Sequence, residues 1–265
     1  MGHDTMGHAL NNRPVGVIGN DEFGGAIAER IAGCRFRVMY AALAGSPPIA
    51  YGEMLEPASE STIAMRCPIV LAAIEDTETF RRLLVGDGEK ALAGGLQPGS
   101  VLVDLGARTP REFQTLFEVL EPRNVALVDA ALISAPEAAL HGHAKILLGG
   151  DLASVEIAES ILALLGNVER TGPLGSAHAA AALMGYIEAA QSVAREEALA
   201  LGAACGLTPE TLKRVLSDES VPRDLNVVQL ARRAALARRI ARDRRGSADI
   251  INLAAEKHAR NRENR

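Results

Sequence analysis

From residue 14 to about residue 167, short apolar runs alternate with stretches whose apolar residues recur every three or four positions. The runs predict strands at Val15–Ile18, Arg37–Tyr40, Ile69–Ala73, Val101–Leu105, Ala126–Val128 and Ala144–Leu148. The periodic stretches predict helices near Gly24–Ala32, Thr77–Leu84, Pro110–Leu120 and Ser154–Leu165. Strands that alternate with helices imply a mostly parallel sheet covered on both faces. Pro98-Gly99 and Pro122-Arg123-Asn124 punctuate the chain before strands, and Asp151 can cap the helix that follows Gly149-Gly150.

The pattern changes at Gly172-Pro173-Leu174-Gly175. Ser176 to Cys205 reads as one Ala-rich helix, with Ser176 as N-cap and Gly206 just past its end. At 1.5 Å per residue such a helix spans roughly 43 Å, a length that joins domains or forms a dimer core. Thr208-Pro209-Glu210 restarts a helix, with Thr208 as cap and Pro209 at its first position. The divisions are a tail at 1–13, an α/β domain at 14–170 and a helical domain at 171–265 with a basic end.

Composition narrows the class. Apolar residues make up 48% of the 265, enough for a sizeable core, while Trp is absent and aromatics are 3%. Base-stacking or sugar-stacking surfaces are therefore not expected, and a net charge of −5 gives no whole-chain case for nucleic acid. Cys34, Cys67 and Cys205 are odd in number and lack metal spacing, as in a reduced cytoplasmic protein. No apolar run is long enough for a bilayer, and Met1 to Asn12 has no signal-peptide core. His3 and His8 could chelate a metal weakly or stand idle in solvent; no metal centre is expected. Arg232, Arg233, Arg238, Arg239, Arg242, Arg244 and Arg245 read either as a solvated helix face or as a patch for an anionic partner.

Candidate chemistry begins at Val15-Gly16-Val17-Ile18-Gly19-Asn20-Asp21-Glu22-Phe23-Gly24. A β-branched run leads into a glycine, a second glycine follows five positions later, and a helical pattern comes next. That is the frame of the dinucleotide-binding turn G-x-G-x-x-G, with Asp21 where the middle glycine lets the backbone approach a pyrophosphate. The carboxylate adds bulk and negative charge at that point. The end of the second strand, Val38-Met39-Tyr40-Ala41-Ala42-Leu43, carries neither the acid typical of NAD binders nor an arginine typical of NADP binders.

The order of motifs carries a resemblance. After the glycine turn come Val85-Gly86-Asp87-Gly88, Pro98-Gly99-Ser100-Val101-Leu102-Val103-Asp104, Thr109-Pro110 and Val128-Asp129-Ala130-Ala131-Leu132-Ile133-Ser134. Leu148-Gly149-Gly150-Asp151, Leu165-Gly166 and Gly172-Pro173-Leu174-Gly175 then precede the long helix. Over residues 14 to 217 this resembles the β-hydroxyacid dehydrogenases of the 3-hydroxyisobutyrate dehydrogenase group and their relatives the imine reductases. The resemblance implies an α/β fold: a Rossmann-type doubly wound sheet, then a long interdomain helix and a small all-α domain of the 6-phosphogluconate dehydrogenase type. It implies a domain-swapped homodimer and NADPH in contact with Gly19, Asn20, Asp21, Glu22, Phe23, Gly24, Ala73, Ile74 and Gly106.

Catalytic candidates follow from the same resemblance. Ser134 keeps the serine of the substrate loop, whose two glycines are Ala135 and Pro136 here; it is a substrate hydrogen bond or a loop hydroxyl serving its own backbone. Gly106-Ala107 replaces a Ser-Thr pair. Ala181 stands where the dehydrogenases carry a lysine and imine reductases an Asp or Tyr, so a proton donor must come from elsewhere. His178, one turn earlier, and Tyr186 are the candidates, with Glu188 further along. Three functions remain open: an NADPH-dependent reductase of a small imine or carbonyl, a redox-silent relative that binds a small molecule or performs cofactor-free chemistry in the same cleft, and a non-catalytic partner subunit.

Overall fold

The computed structural model describes residues 13–19, 22–43, 50–86, 91–217, 227–243, 249–250 and 252–253. The chain divides into two compact units, Met1–Ala182 and Leu183–Arg265. The first is built on β1 (Val15–Gly19), β2 (Val38–Ala42), β3 (Leu55–Pro57), β4 (Ile69–Ala73), β5 (Val101–Asp104), β6 (Ala126–Leu132), β7 (Ala144–Gly149) and β8 (Gly166–Gly172). They form one sheet in the order β3-β2-β1-β4-β5-β6-β7-β8. Every neighbouring pair is parallel except β6 and β7. The connection between those two holds only a five-residue helix, Pro136–Leu140, which is too short for a crossover and leaves the antiparallel return as the available route.

The alternation predicted from the apolar runs is realised on both faces. Val15, Val17, Val101 and Val103 join α1 (Glu22–Gly33) and α7 (Leu152–Leu162) in one core layer. Ile18, Val70 and Leu102 join α2 (Glu60–Arg66), α3 (Thr77–Val85), α4 (Leu92–Gly95) and α5 (Pro110–Leu120) in the other. Strands buried on both sides read as continuous apolar runs for this reason. The helix Pro136–Leu140 is α6.

Four differences from the sequence expectation have local causes. β3 is three residues long and lies at a sheet edge, so its run is too short to register. β8, Gly-Asn-Val-Glu-Arg-Thr-Gly, is the opposite edge and half exposed, so its polar content hides it. α2 is a seven-residue helix announced only by its cap, Ser59, whose hydroxyl accepts from the Thr62 amide at 3.2 Å. α7 begins at Leu152 and stops at Leu162, earlier at both ends than the predicted Ser154–Leu165; Asp151 caps it as predicted, through Ser154.

α8 (Ser176–Ala204) starts in the first unit and continues into the second. The second unit adds α9 (Pro209–Val215), capped by Thr208, and α10 (Val227–Asp243). Arg233, Arg239 and Arg242 are exposed on α10, whereas Arg244 and Arg245, like His3 and His8, lie outside the described residues.

Candidate active site

Strand order reverses between β1 and β4: the chain runs from β1 outward to β2 and β3, then returns to place β4 on the other side of β1. In an open α/β sheet the crevice at such a reversal, beyond the carboxyl ends of the strands, is where ligands sit. Here it holds a cleft of about 940 Å³, walled by residues that include Phe23, Ala73, Gly106, Ala131, Ser134 and Ala181. All of its walls belong to the first unit.

The glycine turn contributes Phe23 to its wall. A Cβ on Gly19 would lie 2.8 Å from the Gly24 Cα, and one on Gly24 equally close to the Gly19 Cα. Strand β1 and helix α1 meet at this point backbone to backbone, which is the purpose a glycine serves there. Gly24→Ala is expected to force the two apart and lower the thermal midpoint by several degrees in a melting experiment; an unchanged midpoint would show that the turn has slack.

Arg108 is the most connected side chain of the cleft wall. Its Nη1 donates to the Glu75 carbonyl at 2.8 Å and to Thr77 Oγ1 at 3.2 Å, and its Nη2 to the Ile74 carbonyl and, at 3.3 Å, to Asp104 Oδ1. Nε lies 2.9 Å from Asp104 Oδ2, with the N–H not aimed along the contact, so this component is an ion pair rather than a directed hydrogen bond. The guanidinium stacks over Phe80 at 4.6 Å. Burial pushes the Asp104 carboxyl above its usual range, against the pull of Arg108. The pair ties the loop after β4 to the loop after β5.

His178 is 4% exposed and occupies the first turn of α8. Its Nδ1 accepts from the Arg108 amide at 3.2 Å, and Nε2 lies 3.0 Å from the Ala130 carbonyl. Those partners assign the tautomer with its proton on Nε2. The ring also packs on Phe113, with centroids 4.8 Å apart. Both nitrogens are thus committed to main chain. Asp129, wholly buried at β6, accepts from the amides of Gly175, Ala177 and His178 and so caps α8 from another element.

The other candidates fall out as follows. Ser134 lines the cleft, and its Oγ accepts from the Lys145 amide at 2.9 Å, which leaves the hydroxyl proton uncommitted. Ala73, Phe23 and Gly106 also line it. Ile74 turns its side chain wholly into the core and gives its carbonyl to Arg108. Asn20 and Asp21 lie outside the described residues, and Glu22 opens α1. Tyr186 belongs to the second unit and is 70% exposed. Among the described residues, no group of three His, Cys, Asp or Glu could hold a metal, and no helix is long and apolar enough to cross a membrane. Sequence reasoning missed Arg108 and Glu75 in the cleft wall and Asp104 buried behind Arg108; a carboxylate four residues before an arginine at the end of an apolar run was the available signal for the pair.

Fold and cleft define a Rossmann-type dinucleotide-binding module followed by a long helix. The family model for the NAD-binding domain of 6-phosphogluconate dehydrogenase matches residues 14–175, and the chain belongs to that family. It is 23% identical over 159 residues to 2-(hydroxymethyl)glutarate dehydrogenase of Eubacterium barkeri, covering 60% of this chain and 52% of the relative. Against mitochondrial 3-hydroxyisobutyrate dehydrogenase of Bos taurus it is 26% identical over 134 residues, covering 50% and 40%. The chain matches about half the length of these relatives. An imine reductase variant from Myxococcus stipitatus, solved with NAD+, superposes with a TM-score of 0.78 at 15% identity, covering 95% of this chain and 94% of that one.

The residues present fit a nicotinamide dinucleotide. The close approach of Gly19 and Gly24 sets the start of α1 against the end of β1, and amides and dipole at a helix start favour anions. The cleft volume lies near the upper end of the range for small-molecule sites, about 300–1,000 Å³.

Proposed function

We propose that the chain is an oxidoreductase that reduces a small imine or carbonyl substrate with NADPH. The observation that carries this reading is the cleft at the strand-order reversal, with Phe23 of the glycine turn in its wall, in a chain of this family. The absence of a carboxylate along Ala41-Ala42-Leu43 at the end of β2 favours NADPH over NADH, because no acid is there to hold the adenosine ribose hydroxyls. Gly19, Gly24 and the first amides of α1 would hold the pyrophosphate, and Ala73 and Gly106 would flank the cofactor. Bound there, the nicotinamide supplies hydride chemistry.

The chain's own residues do the rest. Leu105, Pro110 and Leu132 give the cleft an apolar wall. Ser134 can donate its free hydroxyl proton in a hydrogen bond to a substrate heteroatom. His178 serves as a positioning residue that holds the β5–α5 loop and β6 against α8, since neither of its nitrogens is free to move a proton. The reading includes a homodimer: Leu183, Tyr186 and Ile187 are 66%, 70% and 54% exposed on α8, and a second copy would cover them. Light scattering at micromolar concentration that returned a monomer would remove that element alone.

Titration with NADPH and NADH, read by the thermal midpoint, tests the central claim. NADPH at about 100 times its dissociation constant adds roughly 2.7 kcal/mol, a rise of a few degrees; NADH raises it less. A second reading, cofactor-free chemistry in the same cleft, is favoured by Asp21 in the turn. It takes over if neither dinucleotide moves the midpoint at millimolar concentration.

A further inference from the structure

The ladder between β4 and β5 ends at Ala72 and Asp104, with one more bond from the Leu105 amide to the Ala72 carbonyl at 2.9 Å. Past that last rung, Ala73, Glu75, Leu105 and Gly106 line the cleft. Carbonyls beyond a ladder need other donors. One guanidinium supplies them: Arg108 Nη2 donates to Ile74, and Nη1 donates to the Glu75 carbonyl and to Thr77 Oγ1. Asp104, at the last rung itself, holds the guanidinium from the other side. The backbone amide of Arg108 donates to His178 Nδ1 in the first turn of α8. Three stretches of cleft wall, the β4–α3 loop, the β5–α5 loop and the start of α8, thus converge on one residue.

Gly106 carries the imprint of this arrangement. A Cβ there would strike the Ile74 carbonyl oxygen and lie 2.5 Å from Arg108 Nη2. The loop after β5 is bare at this point because the guanidinium folds back over it. The Arg108 side chain is wholly buried, so it acts on a ligand only through the chain it holds.

The place of this brace in the sheet decides which half of a dinucleotide depends on it. In a fold of this kind the end of β2 serves the adenosine ribose and the β1–α1 turn serves the pyrophosphate. The other half, with the nicotinamide, then falls on the far side of β1 from β2, over β4 and β5. We propose that Arg108 is the positioning residue of that half. It fixes the carbonyls of Ile74 and Glu75 and the β5–α5 loop against each other and against α8, and so sets where a nicotinamide ring comes to rest. The adenosine half does not depend on it. The identity of the ligand rests on the oxidoreductase reading; the brace itself does not.

A lysine at this position keeps a cation beside Asp104, but a single ammonium cannot reach Ile74, Glu75 and Thr77 as well. The full chain and Arg108→Lys are titrated calorimetrically with NADPH and with adenosine 2′,5′-bisphosphate, which carries the adenosine half and no nicotinamide. Arg108→Lys should weaken NADPH by at least about tenfold and leave the adenosine probe within about twofold of the parent. Thr77→Val removes one acceptor and leaves the Asp104 pair in place. It should show the same pattern in smaller measure, and it decides the matter if Arg108→Lys does not fold. A purely structural role would weaken both ligands by one factor, because both lose the same fraction of competent protein. That result, or NADPH binding unchanged in both variants, overturns the proposal. Hydrogen exchange on the ligand-free chain tests the brace apart from the cofactor. Amides of residues 74–80 and 105–109 should exchange faster in both variants, while those of β1 and β2 keep the parent's rates. If the parent binds neither ligand, the oxidoreductase reading falls and the exchange result alone decides: acceleration confined to those segments upholds the brace, and uniform acceleration or none overturns it.

Discussion

Arg108→Met is expected to destabilise the first unit by about 3–5 kcal/mol, the usual consequence of leaving one member of a buried ion pair alone. That is a fall of roughly 6–20 °C in the melting midpoint. Both side chains of the Asp104–Arg108 pair are wholly buried, so the remaining carboxylate would have no water to turn to. The carbonyls of Ile74 and Glu75 would lose their donors at the same time. The double variant Asp104→Leu/Arg108→Met should recover much of the loss, because the charge that lacked a partner is gone. The pH dependence has a definite sign. Burial already holds the Asp104 carboxyl above its ordinary value, with Arg108 the largest opposing influence, and removing the guanidinium pushes it higher. A carboxyl with a folded-state value above its unfolded one, near 3.9, binds its proton more tightly in the folded protein. Its contribution is therefore most favourable below that window and is lost as pH rises through it. The deficit of Arg108→Met should be smaller at pH 5 than at pH 8. A single variant within about 1 kcal/mol of the parent at both pH values would mean that water reaches Asp104 and that the pair is not a structural clamp.

What was legible in the sequence is what short-range physics writes into adjacent residues. The α5 boundaries were readable because Thr109, Pro110 and Glu112 form a capping box with proline at the first position, a signal contained in four residues. The α8 boundaries came from Ser176 and Gly206 around an uninterrupted Ala-rich run. The doubly wound sheet came from strands that are apolar on both faces. Of the site candidates, Phe23, Ala73, Gly106, Ser134 and His178 line the cleft, a placement that the order of motifs along the chain carried and no single motif did.

His178 shows the limit. Spacing on a helix placed it one turn from Ala181, which suggested an acid. Its ring partners, however, are 70 and 48 residues away in the chain, and they fix the imidazole as a main-chain bracket. Asp104 and Arg108 pose the same problem in a milder form: the i,i+4 spacing is visible, but the burial that turns a surface pair into a clamp depends on β4, Phe80 and the start of α3. Ser134 keeps the hydroxyl proton that the substrate role needs, while its acceptor side goes to a backbone amide eleven residues on.

Asp129→Ala is the second variant with a large expected effect, and it tests how α8 is anchored to the sheet. Oδ1 accepts from the Gly175 amide at 2.7 Å; Oδ2 accepts from Ala177 at 2.8 Å and from His178 at 3.2 Å. Gly175 can present its amide there because it sits at φ +88, a conformation that costs glycine little. Truncation to alanine strands three buried donors at the positive end of the helix dipole, a loss of about 3–5 kcal/mol. Asp129→Asn should cost less, since one amide oxygen can serve one side of the cap while the NH2 group faces donors on the other. Gly149 supplies an independent check. A Cβ there would come within 2.5 Å of Asp129 Oδ1 and 2.6 Å of Ser176 Oγ, so Gly149→Ala should displace the same carboxylate. Combined with Asp129→Ala it should cost less than the sum of the two single changes, because the clash with Asp129 disappears while those with Ser176 Oγ and the Pro173 carbonyl stay. The first turns of α8 also bring Ala179, Ala181 and Ala182 to the cleft. Loss of the cap should therefore shrink the NADPH-induced rise in melting midpoint as well as the midpoint itself. Additive costs with an undiminished NADPH response would mean that Asp129 anchors the helix without shaping the site.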